Sequence, residues 1–231
     1  MENIDKKYLE NTFILLGHTG YGKSTGCIAL TGNKNIEASS KLESYTKKIS
    51  YYTGQFENNF YYTVVDSPGL DDSNGKDDLI IDYLRELLQK RDMKIKGIFI
   101  FLSFQIKKFG ESEKSIIKKI INLIPIKDLW KYITIIITHF FSDFPDELEL
   151  EKNNFKEELK IIFEKEFLPL SREKYGIFGN FNDINIVFTN FNKRNPSIDE
   201  GKQIKNIMEN SSNKDPLLKC SKMIYEDNVK L

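Results

Sequence analysis

"GHTGYGKST", residues 17–25, decides how this chain is read. An apolar run, Thr12 to Leu16, leads into it, and Cys27-Ile28-Ala29-Leu30 follows it. A glycine, four residues, then Gly-Lys-Ser is the spacing of a loop whose backbone N–H groups cradle phosphate oxygens. Gly17 permits a tight turn off the strand, and Gly20 and Gly22 remove side chains where backbone must approach an anion. Lys23 is expected to reach the β- and γ-phosphates, and Ser24 to offer its hydroxyl to Mg²⁺. The helix that begins here adds the partial positive charge of its N-terminus. His18, Thr19, Tyr21 and Thr25 complete the expected nucleotide-binding loop, His18 as a lining residue rather than a catalyst. The motif alone does not choose among GTPases, ATPases and small-molecule kinases.

Composition narrows the partners. The 231 residues carry 34 Lys and Arg against 34 Asp and Glu, so no global basic field recruits nucleic acid or anionic membrane. Apolar residues make up 40%, enough for a sizeable core. Two cysteines, Cys27 and Cys220, read as reduced thiols in a cytosolic protein rather than as a disulfide scaffold. The opening MENIDKKYLE has no apolar signal region, and no run approaches the length of a membrane span. The expected location is therefore cytoplasmic, with any peripheral membrane association made through partners.

Short apolar runs alternate with amphipathic ones, the pattern of an α/β fold. Strands are expected at Thr12 to Leu16, Ile98 to Leu102, Ile133 to Ile137 and Ile184 to Phe188. A hairpin is expected from Lys47 to Gln55 and Phe60 to Val65 about a Glu57-Asn58-Asn59 turn, its tyrosines packing across the pair. Asn33 to Lys48 reads as loop. Helices are expected at Asp77 to Gln89, at Glu111 to Ile124 stopped by Pro125, and at Leu148 to Leu168 ended by Pro169. The tail from Ile198 reads as helical, interrupted by Pro216. The sum is a six-stranded mixed sheet flanked by helices; the Ras-like P-loop NTPase type is what the resemblance given below implies. It reads as one domain, with a core over about 12–194 and a C-terminal helical segment over about 197–227.

"VVDSPGLDD", residues 64–72, ends the third strand. Asp66 with Gly69 three residues on is the pattern of a metal-facing carboxylate followed by a glycine whose N–H touches the γ-phosphate. Asp71 and Asp72 read as exposed switch residues. Within "SYTKK", Thr46 is a candidate second hydroxyl for Mg²⁺, with Ser44 and Thr53 as rivals on spacing alone.

Four segments carry a family resemblance. "LLGHTGYGKST" is similar to the phosphate loop of the immunity-associated GTPases of the AIG/GIMAP family, relatives of septins and of the chloroplast Toc receptors. "SYTKK" resembles that family's Val-Thr-Lys switch, which selects Thr46, and "VVDSPGLDD" resembles its Asp-Thr-Pro-Gly-Leu. "GIFIFLSFQIKKFGESE", residues 97–113, is similar to its extra box, a strand followed by Arg-Phe-Thr-x-Glu, and is the discriminating segment. The resemblance runs from about Thr12 to Arg194 and implies a Ras-like sheet, GTP and GDP binding with Mg²⁺, and nucleotide-dependent dimerisation. Many members attach to membranes through C-terminal segments, which this sequence does not match.

The resemblance also marks departures. In "THFFSD", residues 138–143, Phe140 stands where the family has lysine and Ser142 where it has the guanine-reading aspartate, with Asp143 one residue late. His139 matches the family position, and Asn190 in "VFTNFNKR" matches the asparagine that reads the guanine O6 region. Phe140 and Phe141 read equally as core, Asp143 with Pro145 as a helix cap, and Asn190 as a turn residue. No glutamine follows Gly69 to orient water, and Lys108, beside Lys107, stands where the family's partner-facing arginine would be. Three functions therefore compete: a GTP-binding switch with slow hydrolysis, in which Thr46 and Gly69 serve the chemistry; a nucleotide-held interaction module; and an ATP-dependent enzyme.

Overall fold

The computed structural model describes residues 4–33, 36, 49–69, 82, 84, 85, 87, 92–105, 109–140, 145–190 and 202–217. The strands are β1 (Thr12–Gly17), β2 (Ser50–Gln55), β3 (Tyr61–Asp66), β4 (Ile95–Ser103), β5 (Ile133–Thr138) and β6 (Asn185–Phe188). They form one sheet in the order β2-β3-β1-β4-β5-β6. Only β2 runs antiparallel, paired to β3 from Ser50–Asp66 to Gln55–Tyr61; the other pairings are parallel. The expected six-stranded mixed sheet is what forms.

Alternation along β1 explains the layering. Ile14 and Leu16 face one core together with Ile98, Ile100, Ile135 and Ile137, covered by the isoleucines of α3 (Glu111–Leu123). Phe13 and Leu15 face the other, with Phe99 and Phe101, covered by Cys27, Ala29 and Leu30 of α2 (Lys23–Thr31). A short N-terminal helix, α1 (Lys6–Leu9), precedes β1. Strands buried on both faces need helices on both faces, which is why β1, β4 and β5 are almost continuously apolar. β4 is longer than its apolar run because Lys96 is accommodated: its ammonium donates to the Lys214 carbonyl. The helix expected at Asp77 to Gln89 lies mostly outside the described residues; Leu84 and Leu87 are buried in the first core.

The hairpin is held by a tyrosine over a glycine. A Cβ at Gly54 would lie 2.4 Å from the Tyr62 ring. With that space free, Tyr62 is buried and its hydroxyl donates to the Leu30 carbonyl of α2 at 2.6 Å. Of the tyrosines expected to pack across the pair, Tyr62 does so against Gly54, whereas Tyr61 meets Tyr8 of α1. Burial raises the Tyr62 phenol well above its ordinary value.

Two helix ends differ from the sequence expectation. Helix α4 (Pro145–Ile162) does not end at Pro169. It passes through a π-type turn, Phe163–Phe167, into α5 (Leu168–Tyr175), with Pro169 in the first turn of α5. The wider turn, with the Leu168 N–H donating to the Phe163 carbonyl, absorbs the missing proline N–H. The last described helix, α6 (Lys202–Asn210), stops before Pro216 and tightens into a 3₁₀ turn at Ser211–Asn213. There the Ser211 hydroxyl donates back to the Ile207 carbonyl at 2.8 Å. Ile204 and Met208 of α6 are fully buried in the core shared with α2.

Ile135 lies at the centre of β5 with no exposed surface. Ile135→Ala is expected to lower the unfolding free energy by about 2–5 kcal/mol, read as a shifted urea midpoint at unchanged slope.

Candidate functional site

The site lies at the carboxyl edge of the sheet, where β1, β3, β4, β5 and β6 end side by side. β1 runs straight into the glycine-rich loop, and α2 starts at Lys23. Gly17 (φ +148°), Gly20 (φ +84°) and Gly22 (φ +85°) occupy backbone conformations that side chains resist. At Gly17 a Cβ would also lie 2.6 Å from the Phe101 carbonyl oxygen, so glycine is required there twice over.

Lys23 is only 6% exposed, and its ammonium donates to the carbonyls of Gly17 (2.8 Å) and His18 (3.0 Å). It braces the loop from within, and is placed to exchange those carbonyls for phosphate oxygens. The next residue, Ser24, donates its hydroxyl to Asp66 Oδ2 at 2.8 Å. Asp66 ends β3 and is 1% exposed, while its other oxygen, Oδ1, is buried with no hydrogen-bond partner. Burial raises the Asp66 carboxyl above its ordinary value; the Lys23 charge and the Ser24 bond pull the other way. An acceptor-only oxygen buried without a donor is what a bound cation would satisfy. The residues present therefore fit a Mg²⁺ held by the Ser24 hydroxyl and the Asp66 carboxylate. Beyond these two, such an ion would draw its ligands from phosphates, water and the Thr46 hydroxyl that the sequence offers.

The end of β3 is pinned to the loop. The Ser67 hydroxyl donates to the Leu15 carbonyl at 2.7 Å, which ties the strand end to β1. Gly69 lies against Thr19, where a Cβ would come within 1.9 Å of Thr19 Oγ1 and 2.6 Å of its backbone nitrogen. The candidate γ-phosphate sensor thus touches the phosphate loop. Thr25 is buried in the first turn of α2.

At the neighbouring strand ends, His139 follows β5 in a left-handed conformation (φ +55°), and its Nδ1 lies 3.0 Å from the Ser103 hydroxyl at the end of β4. Asn190 follows β6 and is exposed, next to Thr189, whose N–H donates to the Ile137 carbonyl. Both stand at the edge where a base would lie. Phe140 makes edge-on contacts with Phe104 (4.8 Å) and Phe188 (4.9 Å), and Phe155 joins the same group. Thr46, Asp143, Lys107 and Lys108 lie outside the described residues.

Sequence reading missed three supports. Thr138 Oγ1 donates to the Tyr21 carbonyl at 2.8 Å. Ser103 meets His139. Glu113, at the start of α3, accepts a hydrogen bond from the Tyr21 hydroxyl at 2.7 Å. Only Glu113 had a signal: a glutamate three residues into a helix is a capping pattern, and its Oε2 accepts the Gly110 N–H at 2.9 Å. Gly69→Ala is expected to cost about 1–3 kcal/mol in unfolding free energy, because the Thr19 backbone cannot rotate away as a side chain would. Denaturant titration measures it, and unchanged stability would show that loop and strand end do not meet as described.

Comparisons with known proteins bear on the fold and the family. No curated protein matches the sequence. Among solved structures, Toc33 from Arabidopsis thaliana in complex with GDP and Mg²⁺ superposes with a TM-score of 0.67 at 18% identity, covering 89% of this chain and 86% of that one. A structure described as showing that dimerisation is important for the GTPase activity of the chloroplast translocon components atToc33 and psToc159 gives 0.68 at 18%, over 90% and 86%. A variant of Aquifex aeolicus Era bound to GDP·AlF4⁻ gives 0.56 at 15%, over 86% and 56%. At these identities the likeness is one of fold, that of the P-loop GTPases. The sequence profile of the AIG1 family, however, matches residues 11–210, from the residue before β1 through the last residue of α6. That span takes in all six strands and the phosphate loop, and on it this chain belongs to the AIG1 family.

Proposed function

We propose that this protein binds GTP and GDP with Mg²⁺, hydrolyses GTP slowly and forms a homodimer when the triphosphate is bound. The observation that carries this reading is the Ser24–Asp66 pair. A hydroxyl and a carboxylate are joined at 2.8 Å beside the phosphate loop, with the second carboxylate oxygen buried and lacking a hydrogen-bond partner. Mg²⁺ bound there would neutralise charge on phosphate oxygens. The chain's own residues do the rest. Lys23 presents its ammonium from inside the loop, the N-terminus of α2 favours anions, and Gly69 brings a backbone N–H beside Thr19. Thr46 is the candidate that closes over the triphosphate.

Guanine preference is supported by the family and by the edge at which His139 and Asn190 stand; Asp143 is the third candidate base contact. The GDP and Mg²⁺ of the Toc33 structure support the same ligand, and the dimerisation described for Toc33 supports a pairing of copies. Among the described residues no helix is long and apolar enough to cross a membrane. On its balanced charge and two cysteines we place the protein in the cytoplasm, any membrane contact being made through partners.

Slow rather than fast turnover is read from two positions in the sequence. Leu70 follows Gly69 where a water-orienting glutamine would serve, and Lys108 lacks the planar fork of the arginine it replaces. The same two residues favour the second reading, a nucleotide-dependent interaction module without useful hydrolysis.

Paired calorimetric titrations with GTP, GDP and ATP in Mg²⁺, with phosphate release followed in the same samples, test both readings. Guanine preference with slow release is expected; equal binding of ATP would overturn the guanine assignment. Lys23→Ala is expected to weaken binding by about a hundredfold or more while leaving the circular dichroism spectrum unchanged. Asp66→Asn should abolish the difference in GTP affinity between Mg²⁺ and EDTA, whereas a retained difference would remove Asp66 from the metal site.

A further inference from the structure

Glu113 is a carboxylate only 6% exposed, on a helix face whose neighbours are Ile116 and Ile117. A buried carboxylate is costly unless its oxygens are bonded. Capping uses one of them: Oε2 accepts the Gly110 N–H. The other, Oε1, accepts the Tyr21 hydroxyl at 2.7 Å, across 92 residues of sequence. His18, 2% exposed, completes the group, with Nε2 3.8 Å from Glu113 Oε1 and its ring edge-on to Tyr21 at 5.0 Å.

Tyr21 immediately precedes Gly22 and Lys23, so its backbone sets how the loop presents itself to phosphate. It is held at three points: the hydroxyl on Glu113, the carbonyl by Thr138 Oγ1 at 2.8 Å, and the N–H on the His18 carbonyl at 3.3 Å. The first anchor fixes the loop to the first turn of α3, the helix that opens within the extra-box segment. A capping role alone would leave Oε1 in solvent; here it is spent on the loop.

We infer that Glu113 is a positioning residue which, through Tyr21, locks the phosphate loop to the start of α3 and preorganises it for nucleotide. The inference rests on the nucleotide-binding reading above. Preorganisation raises affinity by removing the cost of ordering the loop on binding. Because Glu113 is anionic and near a phosphate site, its benefit must come from the hydrogen bond and not from its charge, and the two are separable by substitution.

The test is calorimetric binding of GDP and of ADP, each with Mg²⁺, to wild type, Tyr21→Phe, Glu113→Ala, Glu113→Gln and the Tyr21→Phe/Glu113→Ala double variant, with melting temperatures alongside. Tyr21→Phe and Glu113→Ala are each expected to weaken binding about tenfold. The double variant should bind no more weakly than either single, since both remove one bond. Glu113→Gln, whose amide oxygen still accepts from the tyrosine, should stay within about twofold of wild type. Tyr21→Phe keeps the ring and the packing, so it reports even if Glu113→Ala does not fold. Wild-type affinity in Tyr21→Phe, or losses that multiply in the double variant, would overturn the inference, as would a lower melting temperature with unmoved affinity. Wild type that prefers ADP would overturn the guanine reading and leave the lock testable on ADP; wild type that binds neither nucleotide would overturn both.

Discussion

A buried ammonium holds the carboxyl end of β1 in shape. Lys23 donates to the Gly17 and His18 carbonyls, so the chain must leave the strand, turn back over the lysine and begin α2 within six residues. Three glycines at positive φ make that turn affordable. The neighbouring strands then arrange themselves around it: Phe101 of β4 closes on Gly17, the end of β3 brings Asp66 to Ser24, and Thr138 of β5 bonds the Tyr21 carbonyl.

Charge organises the rest of the site. Lys23, Asp66 and Glu113 are all buried within reach of the loop, and each is tied by hydrogen bonds. The exception is Asp66 Oδ1, the one buried carboxylate oxygen in this group lacking a hydrogen-bond partner. Beside buried charges that are otherwise bonded in this group, such an unsatisfied polar atom is what a cation would satisfy. Past the ends of β5 and β6 the chemistry is softer, a histidine steadied by Ser103 and an exposed asparagine, and Phe140 packs among Phe104, Phe155 and Phe188.

Much of the fold was legible because its signals are local. Alternation and apolar runs located all six strands to within a few residues, and the glycine spacing located the loop. The errors came where a local rule met a tertiary override. Pro169 reads as a helix end, yet a π-type turn just before it lets the helix continue, because Phe163 and Phe167 are both fully buried on that path. The strand expected from Ile98 begins at Ile95, because the Lys214 carbonyl receives the Lys96 ammonium and β4 runs through it. The site divided the same way: the loop, Asp66 and Gly69 follow from spacing, whereas Ser103, Thr138 and Glu113 are ordinary residues until the fold sets them beside His139 and Tyr21.

The sequence by itself determined the phosphate loop, the order of strands and helices, and the family, since each depends on residue types at fixed short spacing. Only the tertiary structure decided which groups meet across the sheet edge: that Ser24 bonds Asp66, that Gly69 must lack a side chain because Thr19 occupies its space, and that Glu113 reaches Tyr21. These pairs lie 42, 50 and 92 residues apart. Parallel strands joined by crossovers bring such distant positions to one edge, and no periodicity in the chain records which side chains will touch there.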